Sequence, residues 1–324
     1  MRLQRLILVF AVLPLAVLGS CEHTTYPRVG RAAAAAGVAT RNVVVLVIDG
    51  PRGSEAFHDP SHANIPRMWN DLRPLGTFFQ DFRNMGDTVT NPGHASMATG
   101  TWQHIDNSGN TRPDRPTIFE YFRAATGRPA TDALVISGKA KLNVISYSTD
   151  PAYGAAFGAT EHTGLGSDAA VHADLLASLA ANHPRLVFAC FSDVDIKAHS
   201  GVYADYVAAL RNVDSLVVDV WNHLEADTFY AGRTCVFVTS DHGRHDDAHG
   251  GFQNHGDACD GCRLIPALVV GPNVRSNWTV ANQYHQRDIG PTVGEILGVP
   301  TPQSEGNVMV EMFEPVVSGV RDDP

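Results

Sequence analysis

The chain alternates between short, nearly continuous apolar segments and longer segments with apolar residues at helical spacing. Short runs rich in Val, Ile and Phe predict strands buried on both faces: NVVVLVID, ALVIS, RLVFACFSD, TCVFVTSD and IPALVVGP. Between them lie three helical patterns: TIFEYFRAATG, HADLLASLAANHP and YADYVAALRNVDSLVVDVWNHLEAD. This alternation predicts an α/β fold in which a mostly parallel central sheet carries helices on both faces. No internal repeat or second core is visible, so we expect one domain over residues 41–324.

The N-terminus has the pattern of an export signal. Residues 1–21, MRLQRLILVFAVLPLAVLGSC, combine two arginines, an apolar run and small residues before Cys21. The ending LGSC resembles the lipobox of bacterial lipoproteins, which implies a lipidated Cys21 at the mature N-terminus; an ordinary signal peptide is the alternative. Residues 22–40 lack apolar periodicity and predict a flexible tether. We therefore expect a lipid-anchored protein of the cell envelope or periplasm.

The net charge bears on nucleic-acid binding, and the cysteines bear on disulfide formation. The formal net charge of −10 argues against a nucleic-acid-binding surface, because phosphate backbones are bound by basic patches. Cys259 and Cys262 form a C-x-x-C pair, which favours a disulfide in an oxidising envelope. A zinc site would need two further ligands at suitable spacing, and a thioredoxin-type motif would need a βα context that is not seen here.

Potential metal ligands occur at the ends of predicted strands. Asp49 closes NVVVLVID, Asp195 lies shortly after RLVFACFSD, and Asp241 closes TCVFVTSD and precedes His242. Each aspartate alone could simply cap a helix or turn. Open α/β sheets bind ligands beyond the carboxyl ends of their strands, so three such residues predict a shared site. His199 follows Asp195 by four residues and can point at the same cation. Further histidines follow in DHGRHDDAHGGFQNHGD: His245, His249 and His255.

The stretch TVTNPGHASMATG, residues 88–100, predicts the start of a helix. Thr90 would be its N-cap, with Pro92 in the first turn where a missing N–H costs nothing. A cap is the simplest interpretation. Metal ions close to the same hydroxyl would also make Thr90 a nucleophile.

Taken together, these motifs resemble the alkaline phosphatase superfamily over residues from about 41 to 310. The type I phosphodiesterase/nucleotide pyrophosphatases and the phosphate-irrepressible alkaline phosphatases are the most similar branches. The resemblance is carried by Asp49, TNPGHASMATG around Thr90, Asp195 with His199, SDHG at 240–243 and IPALVVGP at 265–272. It implies two zinc ions, with other divalent metals possible. One ion would be held by Asp49, Thr90, Asp241 and His242, and the other by Asp195, His199 and His255, with His249 as the alternative to His255.

The resemblance also implies a reaction through a phosphothreonine on Thr90. SGKAKL at 137–142 is similar to the Ser-x-Lys-x-Arg segment with which phosphate-irrepressible alkaline phosphatases bind the phosphoryl group. Lys139 matches the lysine, and Lys141 replaces the arginine. The alternative is that both are exposed lysines of a turn with no part in phosphate binding. Asn107 in HIDNSG resembles the phosphate-binding asparagine of both branches, and Asn110 is the alternative.

The predicted activity is that of a two-zinc phosphomonoesterase acting on a small phosphate ester. A phosphodiesterase with the same metals is the first alternative, and a metal-binding envelope protein without activity is the second. Sulfatases of the superfamily carry Cys/Ser-x-Pro-x-Arg, which TNPGH lacks. We expect membrane contact only through the lipid anchor, and the sequence leaves the oligomeric state open.

Overall fold

The five apolar runs predicted as strands all belong to one eight-stranded sheet in the computed structural model, which describes residues 40–315. The predicted signal peptide, Cys21 and residues 22–39 of the tether lie outside the described residues. No helix among residues 40–315 is long and apolar enough to cross a membrane. The strands are β1 (Asn42–Ile48), β2 (Gly76–Phe79), β3 (Phe82–Arg83), β4 (Ala133–Ser137), β5 (Thr160–Thr163), β6 (Leu186–Phe191), β7 (Thr234–Thr239), β8 (Ala267–Val270), β9 (Trp278–Val280) and β10 (Tyr284–His285).

The sheet is mostly parallel, as predicted. Its strand order is β5-β4-β6-β1-β7-β8-β2-β9, and the small strands β3 and β10 pair separately. Neighbouring strands from β5 to β7 are parallel, whereas β8 is antiparallel to both β7 and β2. Because β1 lies between β6 and β7, the carboxyl ends of these three strands meet at one edge of the sheet.

Helices cover both faces of the sheet and bury its alternating side chains. Val43, Val45 and Val47 of β1 belong to one apolar cluster, and Val44 and Leu46 to the other. Each cluster is made with different helices, so the core consists of two layers separated by the sheet. The helices are α1 (Thr90–Thr99), α2 (Ile118–Thr126), α3 (Asp168–Asn182), α4 (Asp193–His199), α5 (Tyr203–Ala226), α6 (Asp260–Arg263) and α7 (Ile289–Leu297).

Two local predictions are corrected by the structure. Thr90 is the first residue of α1 and not its N-cap; the cap position is the extended Val89, and no side chain caps the helix. The predicted Cys259–Cys262 disulfide is not formed, and both cysteines are free. Cys262 is buried and Cys259 is partly exposed, and each sulfur has polar side chains beside it, with His249 near Cys259 and His245 near Cys262.

Candidate active site

The strand-end acids converge on one side chain, His242. One ligand atom from each of Asp49, Asp241 and His242 lies within 4.8 Å of the others, and Asp195, His242 and His255 form a second such group. Nε2 of His242 is 3.5 Å from Oδ1 of Asp49 and 3.4 Å from Oδ2 of Asp241. We call Asp49, Asp195, Asp241 and His242 the strand-end cluster. Its members follow β1, β6 and β7, so the parallel order of these strands brings them together.

Glycines allow this close approach. Gly50 follows Asp49 with a φ of +60°, and a Cβ there would lie 2.9 Å from Cε1 of His242. In α1, a Cβ on Gly93 would lie 2.4 Å from the carbonyl oxygen of Asp241. Helix α1 therefore packs directly on the backbone of a candidate metal ligand.

The buried polar atoms of the strand-end cluster fit a divalent metal ion. Oδ1 of Asp49, Oδ2 of Asp241 and Nε2 of His242 are buried and make no hydrogen bond. Such atoms are costly to bury unless something binds them. Nδ1 of His242 lies 2.9 Å from the Gly243 carbonyl oxygen, to which it donates, so the lone pair of Nε2 is available for a metal. Carboxylates and imidazoles together suit zinc and similar ions.

The second group contains His255 in the position predicted for the last ligand. Its Nε2 is 3.5 Å from Oδ1 of Asp195, and its Nδ1 is 2.9 Å from the Thr88 carbonyl oxygen. Burial, together with the nearby His242, lowers the pKa of His255 to about 3, which keeps the ring neutral as metal binding requires. The structure thus brings His255 to the site, while the alternative, His249, is half-exposed and pairs with Asp246.

His199 completes the second group from the end of α4. Its Nε2 lies 3.3 Å from Oδ1 of Asp195 and 3.2 Å from Nε2 of His255. The helix places His199 one turn after Asp195, as the spacing of four residues predicts. Burial would raise the pKa of Asp195, but the hydrogen bond from His199 and the charge of Lys139 outweigh it and hold that pKa below its usual range.

Lys139 lies between the two groups of candidate ligands. Its Nζ is 2.7 Å from Oδ2 of Asp49, 2.6 Å from Oδ2 of Asp195 and 3.4 Å from Oγ1 of Thr90. Burial opposes the charge of the ammonium group, yet the carboxylates outweigh it and hold the pKa of Lys139 above its ordinary value. The Lys139 ammonium group therefore bridges Asp49 and Asp195 beside the Thr90 hydroxyl.

Thr90 is buried at the N-terminus of α1, where the helix dipole favours an anion. Because its side chain does not cap the helix, its hydroxyl is free to face Lys139. The Thr90 carbonyl accepts a hydrogen bond from Nδ1 of His94, at 2.9 Å, one turn later in the same helix. Nδ1 of His94 is also 3.4 Å from Oδ2 of Asp241, which ties the helix start to the strand-end cluster.

Asn107 and Lys141 lie on the other side of the helix start. Oδ1 of Asn107 accepts from the Asn91 backbone N–H and from Nζ of Lys141, both at 2.9 Å. A Cβ at Gly109, whose φ is +90°, would lie 2.7 Å from Cβ of Lys141, so this glycine lets the two loops touch. The alternative, Asn110, is exposed and instead donates to Ser108.

Arg244, which no sequence motif indicated, is fully buried next to the site. Its guanidinium donates to Oδ1 of Asp195, to the Gly50 carbonyl at 2.8 Å, and to the carbonyls of Phe252 and Gln253 at 3.2 and 3.1 Å. The available signal was its position directly after SDHG, at the end of a buried strand. His94 was also missed, although its spacing of four residues from Thr90 places both on one face of a helix.

A family model described as the Metalloenzyme superfamily matches residues 155–301, which include Asp195, Asp241 and His242. The structure also resembles a putative sulfatase from Bacteroides thetaiotaomicron, with a TM-score of 0.68 and 14% identity over 85% of this chain and 74% of that one. The fold is therefore alkaline phosphatase-like, and the match to the Metalloenzyme superfamily model extends over just under half of the chain. Enzymes of this superfamily are metal-dependent and act on phosphate or sulfate esters.

Two further relatives show the breadth of the superfamily. Murine ectonucleotide pyrophosphatase/phosphodiesterase 5 has a TM-score of 0.62 and 13% identity, over 85% of this chain and 100% of that one. GPI ethanolamine phosphate transferase 1 of Homo sapiens is 23% identical over 83% of this chain and 32% of its own length. The chain thus spans about a third or less of the curated superfamily members it matches. At these identities the structural likeness shows the fold.

Proposed function

We propose that the chain hydrolyses phosphate monoesters at a two-metal centre, with Thr90 as the nucleophile. The position of the Thr90 hydroxyl carries this proposal. It lies at a helix N-terminus and 3.4 Å from Lys139, whose ammonium group contacts both candidate acidic groups. The buried acceptors of the strand-end cluster that lack hydrogen bonds support the presence of cations at the same place.

The ligand sets follow from the two groups of side chains. When bound, divalent ions such as zinc would lower the pKa of the Thr90 hydroxyl and stabilise negative charge on the phosphoryl oxygens. The proposed ligands are Asp49, Thr90, Asp241 and His242 for one ion, and Asp195, His199 and His255 for the other.

The side chains around Thr90 then account for the reaction. The threonine oxygen attacks phosphorus, the bond to the alcohol breaks, and the alcohol departs with a proton. Water subsequently cleaves the phosphothreonine and releases inorganic phosphate. The N-terminus of α1 favours the incoming anion, and Lys139 can neutralise charge next to the attacking oxygen. Asn107 and Lys141, paired at 2.9 Å beside the helix start, would bind a further phosphoryl oxygen.

A phosphodiesterase is the second candidate. A monoester carries one more anionic oxygen than a diester and gains most from a bidentate arginine. This chain has Lys141 where the resemblance implies arginine, so it lacks the two parallel N–H donors of a guanidinium group. A sulfatase is less compatible with the site, because Thr90 cannot supply the aldehyde formed from Cys or Ser.

Parallel kinetics with 4-nitrophenyl phosphate, bis(4-nitrophenyl) phosphate and 4-nitrophenyl sulfate test the proposal. We expect the monoester to have the highest kcat/KM, and Thr90→Ala to lose turnover by several orders of magnitude while keeping the fold. Thr90→Ser is the matched control, since it retains a hydroxyl. Turnover of Thr90→Ala within about tenfold of wild type would contradict the nucleophile. Metal binding without any turnover would instead favour the inactive metal-binding alternative.

We also propose export to the cell envelope with a lipid on Cys21. The apolar run before LGSC supports this part of the proposal. Mass spectrometry of the mature protein tests it, with a lipidated N-terminal Cys21 as the expected result. An unmodified N-terminus elsewhere would remove the anchor and leave the enzymatic proposal untouched.

A further inference from the structure

The two sets of proposed metal ligands differ in how their ligand atoms are already paired. We call Asp49, Asp241 and His242 the first ligand group, and Asp195, His199 and His255 the second ligand group. In the first ligand group, Oδ1 of Asp49, Oδ2 of Asp241 and Nε2 of His242 are buried and make no hydrogen bond. A cation can therefore bind these three atoms without displacing a protein partner.

Both oxygens of the Asp195 carboxylate, in the second ligand group, face positive side chains. Oδ1 accepts a hydrogen bond from the Arg244 guanidinium, and Oδ2 accepts one from Nζ of Lys139 at 2.6 Å. Nε2 of His199 and Nε2 of His255 lie 3.3 and 3.5 Å from the same Oδ1, and 3.2 Å from each other. These three atoms are close enough to bind one zinc ion, but their carboxylate oxygen is shared with Arg244.

The formal charges also favour the first ligand group. It contains two carboxylates, and Lys139 contacts one of them, with its Nζ 2.7 Å from Oδ2 of Asp49. The second ligand group contains one carboxylate, which both Arg244 and Lys139 contact. A divalent cation in the second ligand group is therefore attracted by less negative charge and repelled by two buried positive side chains. We propose that the first ligand group holds its ion tightly and that Arg244 makes the ion of the second ligand group exchangeable.

The structure anchors Arg244 beside Asp195. Its Nε donates to the Gly50 carbonyl at 2.8 Å, and its Nη1 donates to the carbonyls of Phe252 and Gln253 at 3.2 and 3.1 Å. Its Nη2 donates to the backbone carbonyl of Asp195 at 3.0 Å as well as to the carboxylate. All three guanidinium nitrogens are thus held, mostly by backbone atoms, so the charge stays in place when an ion enters.

Exposure points in the same direction. The His199 side chain is 44% exposed, whereas the side chains of the first ligand group are fully buried. Ions can therefore reach and leave the second ligand group more easily. At low zinc concentration the chain would hold one ion, and turnover would rise as the second binds. That effect on turnover rests on the proposed function, whereas the difference in affinity rests on the ligand groups alone.

Zinc titration of the metal-free chain against a chromogenic chelator tests the inference. We expect two zinc ions per wild-type chain, with affinities that differ by at least about tenfold. His199→Ala should fold, because its side chain is half-exposed, and should lose only the weaker ion. Asp241→Asn replaces a ligand of the first group by a side chain of almost the same shape and should lose only the tighter ion.

Arg244→Met and Lys139→Met form a matched pair. Arg244 contacts the carboxylate of the second ligand group, so its replacement should strengthen the weaker ion and narrow the difference in affinity by about tenfold. Lys139 contacts a carboxylate of each group, so its replacement should strengthen both ions and leave the difference in place.

Three results would overturn the proposal: equal zinc affinities in the wild type, loss of the tighter ion in His199→Ala, or an unchanged difference in Arg244→Met. The first two can be measured even where Arg244→Met does not fold. Turnover that persists in Thr90→Ala would contradict the nucleophile and leave the zinc affinities of the wild type as they are. The two proposals therefore fail separately.

Discussion

The strand-end cluster can be compared with the loop cluster, which we define as His245, His249, Cys259 and Cys262 on the segment between β7 and β8. Asp49, Asp241 and His242 are fully buried and follow strands held by the hydrogen bonds of a central sheet. In the loop cluster, the His249 side chain is 52% exposed, and its segment contains only a short turn and the four-residue α6. A rigid sheet edge can hold ligands ready without a metal. The irregular segment of the loop cluster is held instead by hydrogen bonds between loop residues, such as those from the N–H groups of Gly243 and Arg244 to the carbonyls of Cys262 and Gly261.

The largest expected contrast in activity comes from replacing one histidine of each cluster. We expect His242→Ala to lower kcat/KM by at least about 10⁴-fold, or about 5 kcal/mol, because it removes a ligand shared by both candidate metal groups. His249→Ala should lower kcat/KM by less than about tenfold, because this side chain is half-exposed and pairs with Asp246. Steady-state kinetics with and without excess zinc measure both. Equal losses in the two variants would contradict a separation of roles.

Arg244 joins the two regions, since its guanidinium contacts Asp195 and two carbonyls of the loop. Arg244→Met should lower the free energy of unfolding by about 3–5 kcal/mol, because Asp195 and three backbone carbonyls lose this donor at once. The exposed Arg211→Met should change it by under ~1 kcal/mol. Urea denaturation of metal-free protein provides the comparison. A loss for Arg244→Met no larger than that of the control would show that Asp195 has other sufficient partners.

The lysines test whether the strand-end region selects monoesters. Lys141→Ala should lower kcat/KM for the monoester by about 30-fold to 1000-fold, and for the diester much less, because only the dianion uses the contact. Lys139→Ala should show the same preference with an added loss, since it leaves Asp49 and Asp195 without their shared cation. The ratio of the two kcat/KM values is the measurement. Equal losses on both substrates would make the phosphodiesterase the leading function.

Asp168 lies outside both clusters, and we expect its replacement to change the pH dependence of stability. It lies next to the end of β6, where its Oδ1 accepts from the N–H groups of Ser192 and Asp193 at 2.6 and 3.0 Å. Burial raises the pKa of Asp168 from 3.8 to about 7 in the fold. The folded protein therefore retains a proton that the unfolded chain loses, and stability falls as pH rises through this window, by up to about 1.4 kcal/mol per pH unit.

Asp168→Asn should remove this part of the pH dependence. Urea midpoints between pH 4 and 8 would then decline less in the variant than in the wild type. The exposed Asp205→Asn serves as the control and should keep the wild-type slope. An unchanged slope in Asp168→Asn would mean that this carboxyl stays ionised in the fold.

Much of the strand-end region could be predicted from the sequence. Runs such as NVVVLVID can only be stable when buried on both faces, so they indicate a parallel sheet and place Asp49 and Asp241 at its carboxyl edge. The short strands β2, β5 and β9 were not predicted, because their three or four residues carry too little periodicity. The family resemblance favours Asn107 over Asn110 and His255 over His249. In the structure, Asn107 contacts Asn91 and His255 lies near Asp195.

By itself, the sequence determined the two-faced sheet, the order of its helices and the acids at its edge, because hydrophobic period and strand ends are local properties. The tertiary structure decided what depends on distant segments meeting. The sequence predicts Thr90 as a helix cap, but in the structure its hydroxyl does not cap the helix and lies beside Lys139. The tertiary structure also leaves Cys259 and Cys262 as free thiols, where the sequence alone favoured a disulfide. Loop positions follow from packing and close glycine contacts, which no local pattern encodes.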